Sequence, residues 1–196
     1  MSSHPKILLS ESEYLSRERL ASFKSEYLRG ETIAMARASE RHNLIVLNTG
    51  AELRNQLKKR PCRVYPSDLR VKVKHSGLIT YPDVTVVCGK NELLSEHGDV
   101  MLNPIVLVEV LSDSTEAYDR GKKFEHYRTI DSLQEYVLVS QDRVSVEWFT
   151  RSRDHAGWSL NATQDIQGEL RLDSIECVVP VAEIYDKVVF DPITEE

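Results

Sequence analysis

The chain has 196 residues, of which 41% are hydrophobic and 29% charged, enough for one domain with its own hydrophobic core. No apolar run approaches the roughly 20 residues of a membrane span, and residues 1–10 lack the basic and long apolar regions of a secretion signal, so we expect neither. The net charge of −6 argues against a protein that binds nucleic acid through bulk positive charge.

The N-terminal part of the chain is predicted to be mostly helical. In chain order we predict a short helix, a hairpin and a long helix, at residues 11–25, 26–37 and 40–59. Ser10 or Ser12 is the expected cap of the short helix, because a serine hydroxyl accepts a hydrogen bond from a free N–H of the first turn. Ser39 has the same position before the long helix, and Pro61 stops that helix.

Strands dominate the remainder of the prediction. They are expected at residues 62–65, 69–73, 81–88 and 105–111, followed by a helix at 118–129 and a strand hairpin at 135–140 and 144–149. The polar residues 92–99 are predicted to form a loop, and 158–185 a further hairpin with a closing helix or turn. This order predicts a single α/β (α+β) domain, residues 1–196, with a mixed sheet flanked by helices.

The three cysteines, Cys62, Cys88 and Cys177, are odd in number and widely spaced. We interpret them as free thiols of a protein in a reducing cytoplasm. The six histidines show no HExxH pattern, which excludes the usual zinc signature. No Walker-type or GxGxxG loop is present, so no organic cofactor is expected.

A basic segment follows the long helix, with eight basic and two acidic residues between Glu52 and Lys74. One interpretation is a solvated helix end followed by a strand with a solvent-facing side, on which Arg70 and Lys72 alternate with apolar residues. The alternative is a phosphate-binding surface. Its candidate nucleic-acid-binding residues are Lys58, Lys59, Arg60 and Arg63.

Glu109 is the most informative residue, because it stands alone among aliphatic residues in the strand 105–111. In a strand it shares a face with Leu107 and Leu111. Burial of a carboxylate there costs on the order of several kcal/mol unless the carboxylate is paired, protonated or bound to a metal. The alternative is a strand-end carboxylate that pairs with a nearby arginine or lysine.

Asp83 stands directly before the apolar residues of the preceding strand, after Pro82. By itself it could be an exposed polar residue at a strand start. If its strand neighbours that of Glu109, both carboxylates point to one place. Two oxygen ligands together with waters and phosphate oxygens are what Mg²⁺ accepts, and such an ion activates water and polarises phosphate.

Three residues of the predicted helix at 118–129, Asp119, Lys123 and Tyr127, lie at i, i+4 and i+8 on one face. Either Lys123 faces a phosphate or an attacking water beside Tyr127, or it forms an ordinary surface pair with Asp119. His42 lies on the apolar stripe of the long helix, where a histidine is more often a packed residue than a catalytic one.

Five stretches of the sequence resemble motifs of the Uma2 family, and they occur in the same order as in that family. They are EYLRGETIAM followed by SERHN, YPDVTVVC, NPIVLVEVLSDST, YDRGKKFEHY, and EYVLVS with VSVEWF after it. The resemblance covers about residues 11–190. Uma2 is similar to the PD-(D/E)xK nucleases, so the resemblance implies a restriction-endonuclease-like fold.

The same resemblance implies a divalent-metal-dependent DNA endonuclease that acts as a homodimer and uses Mg²⁺ or Mn²⁺. Asp83 matches the "PD" motif and Glu109 the "D/E", both as metal ligands. Leu111 stands where the nuclease lysine is found, and Lys123 on the next helix takes its place as the third catalytic residue. His42 matches the N-terminal motif, and Tyr127 and Asp119 are possible accessory residues.

Two other functions remain open from the sequence. The displaced lysine is also compatible with a catalytically degenerate nuclease fold that binds nucleic acid or a partner protein. A metal-dependent hydrolase of another phosphate ester is the third possibility.

Overall fold

A computed structural model describes residues 8–94, 97–154 and 157–191, and every structural statement below concerns those residues. The helices are α1 Glu11–Glu18, α2 Glu40–Gln56, α3 Glu116–Tyr118, α4 Phe124–Tyr127 and α5 Val181–Ile184. A π-helical turn, Asp119–Lys123, joins α3 to α4, and residues 116–127 together are called the interrupted helix. Within the described ranges, no helix has the length and apolar character needed to cross a membrane.

The strands of the described residues form three sheets. In chain order they are β1 Ser25–Leu28, β2 Glu31–Ala34, β3 Cys62–Pro66, β4 Arg70–Val73, β5 Leu78–Thr80, β6 Val84–Cys88, β7 Val100–Met101, β8 Val106–Leu111, β9 Glu135–Ser140, β10 Val146–Arg151, β11 Trp158–Thr163, β12 Glu169–Leu172 and β13 Cys177–Pro180. The main sheet has the order β11-β10-β9-β8-β6-β3, a second sheet has the order β2-β1-β5-β4-β7, and β12 pairs with β13. In the main sheet β8 and β9 are parallel, whereas β6 pairs with β8 and with β3 in antiparallel register.

A serine N-cap precedes each of the two predicted N-terminal helices. The Ser10 hydroxyl accepts a hydrogen bond from the Glu13 amide, and the Glu13 carboxylate accepts one from the Ser10 amide, which is a complete capping box. Ser39 caps α2 by accepting from the His42 amide at 3.0 Å. These contacts confirm the serines expected at both helix starts and orient the first turn of α2, on which His42 lies.

The central strands of the main sheet, β6, β8 and β9, are buried on both faces. Against one face pack α2, α5 and the β12–β13 pair, through a cluster that includes Ile45, Leu53, Val84 and Val86 of β6, and the valines of β8. Against the other face pack the second sheet and the interrupted helix, through Leu107, Leu111 and Tyr127. Because β8 is buried throughout, its side chains alternate between two interior layers.

The expected mixed sheet flanked by helices is confirmed, with several corrections. The helix α1 ends at Glu18 instead of near Ser25, and α2 ends at Gln56 instead of near Lys59. The second sheet contains β5 and β7, which the sequence did not predict. The predicted loop at 92–99 lies partly outside the described residues, and the part that is described bridges to β7 through Leu93.

The prediction of a solvent-facing side for the strand at 69–73 is wrong. Arg70 is buried, and its guanidinium donates hydrogen bonds to the Tyr81 hydroxyl at 2.6 Å and to Asp99 at 2.7 Å. Lys72 forms an ion pair with Glu11 of α1 at 2.6 Å. Arg70 and Lys72 of the basic segment are therefore each paired with a carboxylate, where the N-terminal helix covers the second sheet.

The cysteine prediction is wrong for two of the three residues. Cys62 and Cys88 are directly opposite each other in the antiparallel β3–β6 pair, and they form a disulfide. Cys177 is a buried free thiol, as expected. Because β3 lies at the edge of the main sheet beside β6, the disulfide links this edge strand covalently to its neighbour β6.

Candidate functional site

Glu109 lies in the middle layer of the molecule, with its side chain on the face of β8 that also carries Leu107 and Leu111. It is 4% exposed. Its Oε1 lies 2.9 Å from Lys123 Nζ and accepts a hydrogen bond from the Tyr127 hydroxyl at 2.8 Å. Both partners come from the interrupted helix, so this carboxylate links the central strand of the sheet to the helix that covers it.

Asp83 immediately precedes β6, and the β6–β8 register explains its location. Val84 pairs with Val108, so extending the antiparallel register by one step would bring Asp83 opposite Glu109. The Val110 amide donates to Asp83 Oδ2 at 2.7 Å, and His42 Nε2 lies 3.0 Å from Asp83 Oδ1. Asp83 is 9% exposed, which contradicts the interpretation of an exposed residue at a strand start.

Asp119, Lys123 and Tyr127 meet on the sheet side of the interrupted helix, where all three are buried. Lys123 Nζ lies 3.2 Å from Asp119 Oδ1, so the predicted i, i+4 contact forms, yet a surface pair is excluded. The π-helical turn widens the backbone at these residues, and the Tyr136 hydroxyl donates to the carbonyl oxygen of Asp119 at 3.1 Å. Such turns are frequent at functional sites.

Glu26 is the site residue that the sequence analysis missed. It lies on β1, and its Oε1 is 3.2 Å from Lys123 Nζ while also accepting a hydrogen bond from the Thr80 hydroxyl of β5. The signal for it is weak: Glu26 begins the matched string EYLRGETIAM, but a glutamate at the start of a short hairpin strand is usually exposed. Only the pairing of β1 with β5 inside the second sheet reveals its burial.

The electrostatics of the site follow from placing several carboxylates around one ammonium. Burial raises the pKa of Glu109 well above its usual value, against the opposing effect of Lys123. Burial alone lowers the pKa of Lys123, but the carboxylates of Glu109, Glu26 and Asp119 outweigh it and hold that pKa well above the ordinary one. Lys123 is therefore an ammonium at neutral pH, and it acts as a fixed positive charge instead of a proton acceptor.

A divalent cation with oxygen ligands fits this donor set. Both described contacts of Glu109 are to Oε1, and each oxygen of Asp83 accepts one contact while keeping a second lone pair. Across the described residues, no group of three or more histidine, cysteine, aspartate or glutamate side chains is arranged to hold a metal. The fit is therefore to Mg²⁺ or Mn²⁺ held by two carboxylates and completed by water or phosphate, not to an enclosed zinc site.

The basic candidates lie away from this cluster. Lys58, Lys59 and Arg60 follow the C-terminal end of α2, which lies about 21 Å along the helix axis from His42 by the usual rise per residue. Arg60 is paired with Glu176 at 3.3 Å, and Arg63 donates to the Gly89 carbonyl at 2.8 Å. Lys58 and Lys59 are exposed and stay candidates for a nucleic-acid contact outside the carboxylate site.

Comparison with known proteins gives a consistent result. Residues 12–180 match the family Uma2, described as "Putative restriction endonuclease". Two uncharacterized proteins of Synechocystis sp., sll1609 and slr1290, are each 35% identical to the chain; the matches cover 83% and 93% of this chain and 89% and 94% of the relatives.

Among solved structures, the chain is similar to one from Anabaena variabilis described as a "putative nuclease belonging to DUF820". The TM-score is 0.72, with 91% of this chain and 98% of that chain covered. The sequence identity is 16%, so this likeness establishes the fold alone. The nuclease-like fold class expected from the sequence is thereby confirmed.

Proposed function

This chain belongs to the Uma2 family, and from that premise we propose that it is a divalent-metal-dependent endonuclease that hydrolyses phosphodiester bonds of DNA. The observation that carries the proposal is the buried contact of Glu109 with Lys123 of the covering helix, together with Asp83, whose carboxylate is held by the amide of the next residue on β8, Val110. Charged groups are rarely buried together without a functional reason or mutual neutralisation, and here the carboxylates outnumber the ammonium.

Asp83 and Glu109 are the residues that would hold the cation. When bound, Mg²⁺ or Mn²⁺ supplies a Lewis acid for the phosphate and lowers the pKa of a water nucleophile. Lys123 contributes a fixed positive charge that stabilises the negative charge developing on the pentacovalent phosphorus. Because its pKa is held high by the surrounding carboxylates, Lys123 does not remove the proton from the nucleophile.

His42 and Tyr127 orient the two carboxylates. An ionised aspartate can only accept, so His42 donates from Nε2 to Asp83, while the Tyr127 hydroxyl donates to Glu109. Hydrogen bonds of this kind fix the direction of the remaining lone pairs, and partners of ligating residues commonly affect metal affinity. Both residues therefore act through the carboxylates and not on the DNA.

The test is nicking of supercoiled plasmid DNA by the purified protein with Mg²⁺ or Mn²⁺. We expect nicking that EDTA abolishes and that Asp83→Asn and Glu109→Gln reduce by roughly 100-fold or more, as expected for loss of metal chemistry. Glu135→Gln is the matched control, because Glu135 is also a buried strand carboxylate but binds Ser174 away from the site. Nicking that persists in both site variants would contradict the assignment.

The second candidate is a nuclease-fold protein without turnover that binds nucleic acid or a partner protein. It is favoured by the burial of all three proposed catalytic side chains and by the net charge of −6. It predicts no cleavage and no heat of metal binding, together with salt-dependent DNA binding that Lys58→Glu and Lys59→Glu weaken.

Oligomeric state is a separate part of the proposal. The resemblance to the family implies a homodimer, which light scattering after size exclusion measures directly. A second copy would allow two sites to address both strands of a duplex.

A further inference from the structure

Glu26 connects the N-terminal hairpin to the centre of the proposed site. It is 7% exposed, and its Oε1 meets both the Lys123 ammonium and the Thr80 hydroxyl. The Tyr118 hydroxyl is also hydrogen-bonded to this carboxylate, and burial beside Glu26 raises the pKa of Tyr118. Groups from β1, β5 and the interrupted helix therefore converge on one carboxylate.

Lys123 contacts three carboxylates, and these differ in their other proposed roles and in the elements that carry them. Its Nζ lies 2.9 Å from Glu109, 3.2 Å from Glu26 and 3.2 Å from Asp119. Glu109 is also a proposed metal ligand. A cation on Glu109 withdraws charge from the contact with Lys123 and repels the ammonium, because like charges a few ångströms apart in a buried site interact strongly.

The remaining two partners cannot replace each other. Asp119 lies on the same helix as Lys123, so its contact moves with the helix and does not fix the ammonium relative to the sheet. Glu26 belongs to the second sheet, where β1 pairs with β5, and so it anchors Lys123 from outside its own element.

We propose that Glu26 is a positioning residue that holds the Lys123 ammonium in place while Glu109 is engaged by the metal ion. The inference rests on the proposed function. In the metal-free site Glu109 and Glu26 share Lys123, and with metal bound Glu26 becomes its anchor outside the interrupted helix. The N-terminal hairpin is then a part of the active site and not only a cover for the core.

The experiment compares Glu26→Gln and Glu26→Asp with the wild-type protein and with the buried control Glu135→Gln. Glutamine keeps the size and the acceptor for Thr80 but removes the charge that holds Lys123. In plasmid nicking we expect Glu26→Gln to lower the rate at saturating metal by roughly 10- to 100-fold, as for other orienting residues. The metal concentration at half-saturation stays within about 2-fold, and Glu26→Asp recovers part of the rate by retaining the charge.

Two readouts, the rate at saturating metal and the metal concentration at half-saturation, separate this role from a structural one. In Glu26→Gln we expect the rate to fall while the metal concentration at half-saturation is retained. Glu135→Gln, by contrast, leaves both in place. An unchanged rate in Glu26→Gln overturns the proposal, as does a metal affinity that falls in parallel with the rate, because Glu26 would then be a ligand.

A third readout does not depend on turnover. In protein labelled with ¹⁵N-lysine, the buried Lys123 ammonium should give a protected resonance, assigned by its loss in Lys123→Met. With Mg²⁺ added, we expect this resonance to persist in the wild type and to exchange rapidly in Glu26→Gln. If wild-type protein cleaves no DNA but shows this difference, the proposed activity fails and the anchoring role stands. Equal protection with Mg²⁺ in both proteins overturns the anchoring role.

Discussion

His42 Nε2 lies 3.0 Å from Asp83 Oδ1, and this contact ties the first turn of α2 to the strand that carries the proposed metal ligand. The opposite oxygen of Asp83 accepts the amide of Val110, the residue after Glu109. Asp83 is therefore held from two sides, by a helix on one face of the sheet and by the neighbouring strand. A carboxylate fixed in this way presents its remaining lone pairs in one direction.

Replacing His42 should weaken the proposed metal site without unfolding the protein. We expect His42→Ala to reduce metal affinity and plasmid nicking by roughly 10-fold, because loss of an orienting hydrogen bond costs about that much at metal sites. Isothermal titration with Mn²⁺ and nicking assays measure the two effects. His75→Gln is the control, since His75 is exposed. A Mn²⁺ affinity unchanged in His42→Ala would remove His42 from the site.

Metal binding to Glu109 should depend on pH with a definite sign. Burial raises the pKa of this carboxyl, so at neutral pH the metal-free carboxyl retains a proton more readily than a free glutamate does. A cation must displace that proton, and apparent affinity therefore rises with pH through the raised pKa. Titration calorimetry in buffers of different ionisation enthalpy counts the released protons. Glu109→Gln should release none, and a wild-type affinity that does not rise with pH contradicts the assignment.

The parts of the fold that the sequence predicted correctly are those with local causes. Ser10 and Ser39 precede helices because their hydroxyls accept first-turn amides, and β8 is recognisable because every residue around Glu109 is aliphatic. The buried face of Glu109 follows from the two-residue period of a strand. The i, i+4, i+8 spacing likewise placed Asp119 and Tyr127 with Lys123, even though the intervening turn is π-helical.

The parts that were missed depend on partners distant in sequence. Glu26 and Arg70 look like exposed charges until β1, β4 and β5 assemble into the second sheet and α1 closes over them. The Cys62–Cys88 disulfide requires the register of β3 against β6, which no local pattern encodes. Charge alone was misleading at Arg70 because its partners, Tyr81 and Asp99, lie in separate segments.

Removing the ammonium of Lys123 should destabilise the protein in a pH-dependent manner. Lys123→Met leaves Glu109, Glu26 and Asp119 buried without their cation, and breaking such a pair costs on the order of 3–5 kcal/mol at neutral pH. Burial already raises the pKa values of Glu109 and Asp119, and they rise further without Lys123, so the loss shrinks as pH falls and these two acids become protonated. Urea unfolding at about pH 7 and at about pH 5 measures this difference in the free energy of unfolding.

The control for Lys123 is the double variant Glu109→Gln, Lys123→Met. Neutralising Glu109 removes one uncompensated charge, so the double variant should be more stable than Lys123→Met alone at neutral pH. Equal instability of the single variant at both pH values would mean that packing, not charge, explains the loss.

Asp99 should stabilise the covering of the second sheet in a different pH range. Its carboxylate accepts hydrogen bonds from Arg19 and Arg70, each with a shortest distance of 2.7 Å. The Arg19 hydrogen bond is the largest cause that lowers the pKa of Asp99 from 3.8 to about 2, against the effect of burial. Because the folded pKa is depressed, the stabilisation is present above about pH 4 and is lost as pH falls towards 2.

The measurement is the free energy of unfolding of Asp99→Asn relative to wild type. We expect a loss on the order of 1 kcal/mol at pH 7, reduced by solvent screening because the side chain is 26% exposed, and a smaller difference near pH 2.5 by the same linkage. Asp68→Asn is the control, since Asp68 pairs with Lys24 but is 85% exposed. A loss equal in the two variants, or constant with pH, contradicts the role given to Asp99.

The Cys62–Cys88 disulfide should contribute measurably to stability through the loop it closes. The sequence separation is 26 residues, for which the chain-entropy relation gives about 3.5 kcal/mol as an upper range. Reduction, or the Cys62→Ala, Cys88→Ala double variant, should lower the free energy of unfolding by up to that amount and free the edge strand β3. Alkylation of denatured protein should modify one thiol before reduction and all three after it. Three reactive thiols before reduction would show that the pair is not oxidised, and reduction would then leave stability unchanged.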